Sequence, residues 1–344
     1  MKKKLFFGLL AAAAVTFTAC QKDEVLNQLP QDNEIGFSTY VGRGAQTKAS
    51  VTDINAMKVS TYSGIGVFAY HTSGDFSTPT IAPNFMVNQL IKWDPTANSN
   101  SGKWNYNPTQ YWPKTGKVSF FAYAPYNSTN PFSGNTGNPI ISYTIQTDVS
   151  SQIDILSAAV KDQNSGTVNF VFNHALAKVG FTAVTSSTDE NTSITINEVE
   201  LLTDGTDKFY SSGTLDLTDG TWTSKTEGSD TYTLSGNKLK NTTVGTSAAA
   251  LNADDAFIML IPENNHNVAD ANLAPMNVNI RVNYSVTTEG GTTVENNITT
   301  AEPIAVKFQQ GKAYTFAITI GLNAIVFDAT VNPWTEVSAS TVTF

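Results

Sequence analysis

Val278-Asn279-Ile280-Arg281-Val282-Asn283-Tyr284-Ser285-Val286 alternates apolar and polar residues over nine positions. A period of two puts one set of side chains on each face of a strand, so this stretch predicts a β-strand with one buried and one wetter face. Tyr314, Phe316, Ile318 and Ile320 repeat the pattern. Outward from these, short apolar or alternating runs recur between turn clusters at Ile35 to Val41, Gly64 to Tyr70, Phe85 to Lys92, Val118 to Ala124, Pro139 to Ile145 and Ile153 to Val160. The second half adds Val168 to Phe172, Lys178 to Val184, Ile194 to Leu202, Phe257 to Ile261, Met276 to Val286, Ile304 to Phe308, Lys312 to Ile320 and Ala324 to Val331. Such spacing predicts an all-β fold of sandwich type and argues against βαβ units. In Ile194 to Leu201 the alternation changes phase near Asn197, which a one-residue β-bulge accommodates.

The 344 residues suffice for two domains. The formal charge of −9 is too acidic for a nucleic-acid partner bound through phosphates. The polar stretch Lys161 to Gly166 is the expected boundary between domains at 33–165 and 166–344. The charge changes there, from +1 in the first to −11 in the second.

Lys2-Lys3-Lys4 followed by the apolar run Leu5 to Val15 reads as a signal peptide, residues 1–19, because the run is too short to span a bilayer. It closes at Thr18-Ala19-Cys20, similar to a bacterial lipobox. Cleavage is expected between Ala19 and Cys20, with Cys20, the sole cysteine, as lipid attachment site and outer-membrane lipid as its partner. Acyl chains would anchor the protein without crossing the membrane. Residues 20–32 are the expected flexible tether, and Gln21-Lys22-Asp23-Glu24 resembles a Bacteroidetes signal for export to the outer face.

Catalytic signals are few. His71, His174 and His266 stand far apart, with no metal-ligand spacing, and no GxSxG elbow, P-loop or dinucleotide fingerprint stands between strand and helix. No enzyme activity, metal or cofactor is expected, although distant carboxylates could still converge as in glycosidases. Asp204-Gly205-Thr206-Asp207 and Asp219-Gly220 read as hairpin turns rather than calcium loops. Trp93, Trp104, Tyr111 and Trp112 admit two readings: an exposed row stacking on sugars, or core packing, which the interleaved Asn107, Pro108 and Pro113 favour.

The ordered segments Ile35-Gly36-Phe37, Val67 to Tyr70, Tyr106-Asn107-Pro108, Tyr111-Trp112-Pro113, Val118 to Pro125, Phe172 to Lys178, Gly311 to Phe316 and Ala329 to Trp334 together resemble the fimbrillin family of Bacteroidales. The resemblance implies two tandem transthyretin-like Greek-key β-sandwich domains in a lipoprotein assembled into fimbriae at the cell surface, with other fimbrial subunits and a host or bacterial surface receptor as partners. It also implies that a protease removes the tether and first strand after a basic residue, and that a neighbouring subunit's strand fills the groove. Arg43, between Gly42 and Gly44, is the expected cut site, with Lys48 as fallback. The ten residues after Trp334 alternate poorly, which leaves stalk, tip and anchor positions open. The alternative is a glycan-binding surface lipoprotein of a polysaccharide-utilisation system.

Overall fold

The computed structural model describes residues 33–41, 54–60, 62–77, 81–129, 137–262, 275–321 and 325–333. Among these, the first half contributes β1 (Gly36–Val41), β2 (Ile65–Thr72), β3 (Met86–Asp94), β4 (Lys103–Asn105), β5 (Lys117–Ala124), β6 (Ile140–Thr144), β7 (Leu156–Gln163) and β8 (Thr167–His174). There follow β9 (Ala177–Thr185), β10 (Thr192–Thr203), β11 (Tyr210–Asp216), β12 (Trp222–Glu227), β13 (Thr231–Ser235) and β14 (Ala249–Ala250). The chain continues through β15 (Ile258–Leu260), β16 (Met276–Thr288), β17 (Thr293–Thr299), β18 (Ile304–Val306), β19 (Lys312–Ile320) and β20 (Ile325–Pro333). The fold is all-β.

Seven strands form one sheet in the order β1-β8-β7-β5-β2-β3-β4. Its central strands are buried on both faces. Val67 and Ala69 of β2, with Phe120 and Ala122 of β5, enter a core shared with Phe37 and Phe170, whereas Phe68, Tyr70, Phe121 and Tyr123 point into a second core. Burial of both faces explains why these strands read as continuous apolar runs instead of alternating ones.

The second core belongs mostly to a sandwich of two further sheets. One orders β13-β10-β16-β17 and the other β14-β9-β19-β20. Val278, Ile280 and Val282 of β16 share this core with Phe316 and Ile318 of β19, and the Phe181 and Phe316 rings stack at 5.9 Å. Their alternation is therefore the inner face of a sandwich. The phase change in β10 is a bulge: Ile196 opposes Tyr284 and Glu198 opposes Asn283, so Asn197 is the extra residue. Arg281 lies within β16 and pairs with Glu200 of β10.

The division expected between 33–165 and 166–344 does not follow the strand pairing. β8 lies in the seven-stranded sheet because Val168, Phe170 and Phe172 enter the core that holds Phe37 and Phe120. Moreover, β6 pairs with β11 in a small sheet with β12. The change of charge near residue 166 reflects surface side chains, which do not specify strand partners.

Several contacts bind the halves together. Asn138 Nδ2 donates to Asp216 Oδ2 at 2.8 Å, the Met259 amide donates to Gln152 Oε1 at 2.6 Å, and Lys238 Nζ lies 2.8 Å from Asp148 Oδ1. Asp148 also caps the turn Val149–Ser151, accepting from the Ser150 amide at 3.1 Å. The Lys238 contact and then the Ser150 bonds hold the Asp148 carboxyl down at about 2. A carboxyl lowered on folding stabilises the native state above its ordinary range, and that stabilisation is lost as pH falls from about 4 through about 2. Urea titrations across this window should therefore show a smaller loss of stability for Asp148→Asn than for the parent chain.

Candidate strand-exchange seam

β1 occupies one edge of the seven-stranded sheet, yet its side chains build the core. Ile35 and Phe37 are buried, while Tyr40, on the opposite face, is exposed. The Phe37 ring stacks on Phe170 at 5.7 Å and meets Tyr106 and Phe120 edge-on at 5.2 and 5.9 Å. Burying a side chain of this size contributes about 1.5–3 kcal/mol, and such aromatic pairs about 0.5–1.5 kcal/mol more.

The backbone of this segment is gripped from two sides. β1 runs parallel to β8 in register from Gly36–Thr167 to Val41–Phe172. Across from β8, the Ile35 amide donates to the Gln110 carbonyl and the Trp112 amide donates to the Asn33 carbonyl, both at 2.9 Å. Tyr106 Oη donates to the Ile35 carbonyl at 2.7 Å, and Lys103 Nζ reaches Glu34 Oε1 at 2.8 Å. The segment entering β1 thus lies between β8 and residues 110–112. β8 depends heavily on this neighbour. It is registered with β1 over six pairs but with β7 at only two, Leu156–His174 and Ser157–Asn173.

Parallel pairing has a topological consequence. Antiparallel neighbours can be tied by a tight hairpin, whereas parallel ones cannot. β1 and β8 are joined through most of the first half, so another polypeptide could replace β1 without any rerouting of the chain around β8.

Ala19, Cys20, Arg43 and Lys48 lie outside the described residues, as does the segment after Pro333. The four aromatics weighed for sugar stacking form no flat exposed row. Trp104 and Trp112 are buried at 2% and 4% exposure, Trp93 meets Trp104 edge-on at 69°, and Tyr111 alone of the four is exposed. That sugar-stacking reading is corrected: Trp112 packs on Phe120 and donates through Nε1 to the Gly166 carbonyl at 3.0 Å, while Trp93 and Trp104 are a cross-strand pair of β3 and β4. Gly102, at φ +77°, abuts the Trp93 indole so closely that a Cβ there would stand 2.0 Å from Cζ2. Lys58 Nζ lies 4.4 Å from the centre of the Trp93 ring.

His174 accepts a structural role, its Nδ1 lying 2.7 Å from Asp154 Oδ2 beside the passage from β8 to β9. Asp204 and Asp219 each accept an amide two residues on, from Thr206 and Thr221, both at 2.9 Å, as in turns that need no ion. Among the described residues no three His, Cys, Asp or Glu side chains gather as a metal site. The reach of Tyr106 and of residues 110–112 across to the first strand was not read from the sequence. The nearest signal was the aromatic residues set among turn formers at 104–113.

The fimbrillin-like family model matches residues 47–334. The chain belongs to the fimbrillin-like family. This fimbrillin-like chain is 28% identical over 382 residues to the Fimbrium subunit Fim1C of Phocaeicola vulgatus, covering 97% of each. The crystal structure of a fimbrial protein from Bacteroides vulgatus shares its fold, with a TM-score of 0.69 and 24% identity over 88% of this chain and 100% of that one.

Truncation of the central ring, Phe37→Ala, should cost about 3–5 kcal/mol in chemical denaturation, because neighbouring rings cannot collapse fully into the space. Burial raises the Tyr106 phenol to about 12. Its neutral form then stabilises the fold fully below about 10, and this contribution is lost as pH rises through about 12. Tyr106→Phe should cost about 1 kcal/mol at neutral pH and reduce the alkaline loss of stability, both measurable by urea titration.

Proposed function

We propose that this chain is a subunit of a cell-surface fimbrium that joins its neighbours by exchange of the first strand. In this reading the signal peptide is removed between Ala19 and Cys20, lipid on Cys20 holds the precursor on the outer membrane, and residues 20–32 tether it. A protease cuts after Arg43, or after Lys48 if Arg43 is spared. β1 precedes both sites, so the cut leaves it held by non-covalent contacts alone. Its departure would free the β8 backbone and open the site filled by Phe37, and a strand from a sister subunit would restore both. An adhesive surface toward a host or bacterial receptor completes the proposal.

The observation that carries this reading is the position of β1: a peripheral strand that supplies Phe37, with Ile35 just before it, to the core and most of the registered pairing of β8. An exposed edge with matching apolar sites is what strand addition requires.

Treatment of the purified Cys20→Ser chain with an arginine-specific protease tests it. Sequencing should find a new N-terminus at Gly44, and electron microscopy should show fibres, whereas Arg43→Gln should remain monomeric. Release of residues up to Arg43 with no association between subunits would overturn strand exchange as the joint.

A further inference from the structure

The fit of β1 in its seam is incomplete at two positions. Thr39 lies two residues from Phe37 and two from Val41, so its side chain shares their face of the strand, toward the first core. Its Oγ1 is buried and has no hydrogen-bond partner among the described residues. Such a hydroxyl has given up its bonds to water without replacement, whereas a methyl group of the same shape loses nothing there. Gly36 is the second position. In a strand, glycine loses the most backbone freedom on folding and offers no side chain to pack. Nothing in the backbone requires it: its φ is not positive, and a Cβ would stand 3.7 Å from Thr167 Oγ1 and 4.0 Å from Thr167 Cγ2, in ordinary contact.

Both defects belong to the strand and leave with it. What holds β1 belongs to the frame: the Tyr106 hydroxyl on the Ile35 carbonyl, the backbone of residues 110–112 and of β8, and the rings of Phe120 and Phe170 around Phe37. A strand that keeps those contacts and corrects the two positions binds more tightly than β1 does. Once the linkage after β1 is cut, that difference in fit sets the direction of exchange. We propose, resting on the strand-exchange reading, that β1 is a placeholder. The seam fits a sister subunit's strand with an aliphatic residue at the Ile35 site, a side chain at the Gly36 site, an aromatic ring at the Phe37 site and a branched aliphatic residue at the Thr39 site.

Fluorescent synthetic peptides of residues 33–43, added to the Cys20→Ser chain after arginine-specific cutting, test the placeholder by fluorescence polarisation. The peptide of parent sequence should exchange with the resident strand. Thr39→Val in the peptide should tighten binding about fivefold or more, and Gly36→Val with Thr39→Val about tenfold or more. Phe37→Ala should weaken it about a hundredfold or more. In the uncut chain, Thr39→Val and Gly36→Val should each raise the urea midpoint, and these midpoints decide the placeholder even where Arg43 is spared. After cutting, the chain carrying both substitutions should form fibres more slowly, because its own strand leaves less readily. A parent peptide that binds as tightly as the doubly substituted one, or a lowered midpoint for uncut Thr39→Val, overturns the placeholder and leaves strand exchange standing. Failure of every peptide to bind the cut chain overturns both.

Discussion

The backbone of β8 has to be paired along its length, and the structure meets that need with a strand from far away in sequence. Six residue pairs tie β8 to β1, whereas only two tie it to β7, its neighbour in the chain. Unpaired amides and carbonyls on a sheet edge attract any available strand. β1 satisfies that edge and also places Phe37 among Tyr106, Phe120 and Phe170. Edge pairing and core filling are therefore the work of one short segment, and losing it creates both needs at once.

The two cores limit how far that loss spreads. Phe37 belongs to the core on one face of the seven-stranded sheet, while Phe68, Tyr70, Phe121 and Tyr123 on the other face join the core of the second sandwich. The central strands β2 and β5 are thus anchored through their opposite face even where the first core is disturbed. Asn138, Gln152 and Lys238 add ties between the halves. In the proposed exchange, this frame is what would keep the sheet in shape while β1 is absent.

Much of this was legible in the sequence wherever side chains repeat in a simple period. Val278 to Val286 announced β16, and the phase change at Asn197 announced its bulge on β10. The strands missed are mostly polar: β12 reads Trp-Thr-Ser-Lys-Thr-Glu and β17 reads Thr-Val-Glu-Asn-Asn-Ile-Thr, both largely exposed. With little buried surface they carry little alternation, and their positions are set by pairing with β11 and β16. Partner choice was harder still. Nothing local in Ile35 to Val41 specifies a parallel neighbour 131 residues downstream, so the seam came from resemblance rather than from pattern. Trp104 and Trp112 show the same limit, since their burial depends on residues remote in sequence.

Chain connectivity separates β1 from an ordinary edge strand. A strand tied to its partner by a hairpin returns to its place after each opening, because the short loop keeps its local concentration high. β1 is adjacent to β8 only through the fold, so its return after an opening depends on the linkage from its C-terminal end to the rest of the domain. Cutting that linkage turns an intramolecular contact into a bimolecular one, while the apolar and backbone sites it occupied stay the same. The balance between the released strand and any competitor is then set by relative concentration and fit, and a competitor attached to a subunit that also docks elsewhere has the advantage. In the proposed exchange, the same contacts that complete the uncut protein would be the ones that hold a second chain.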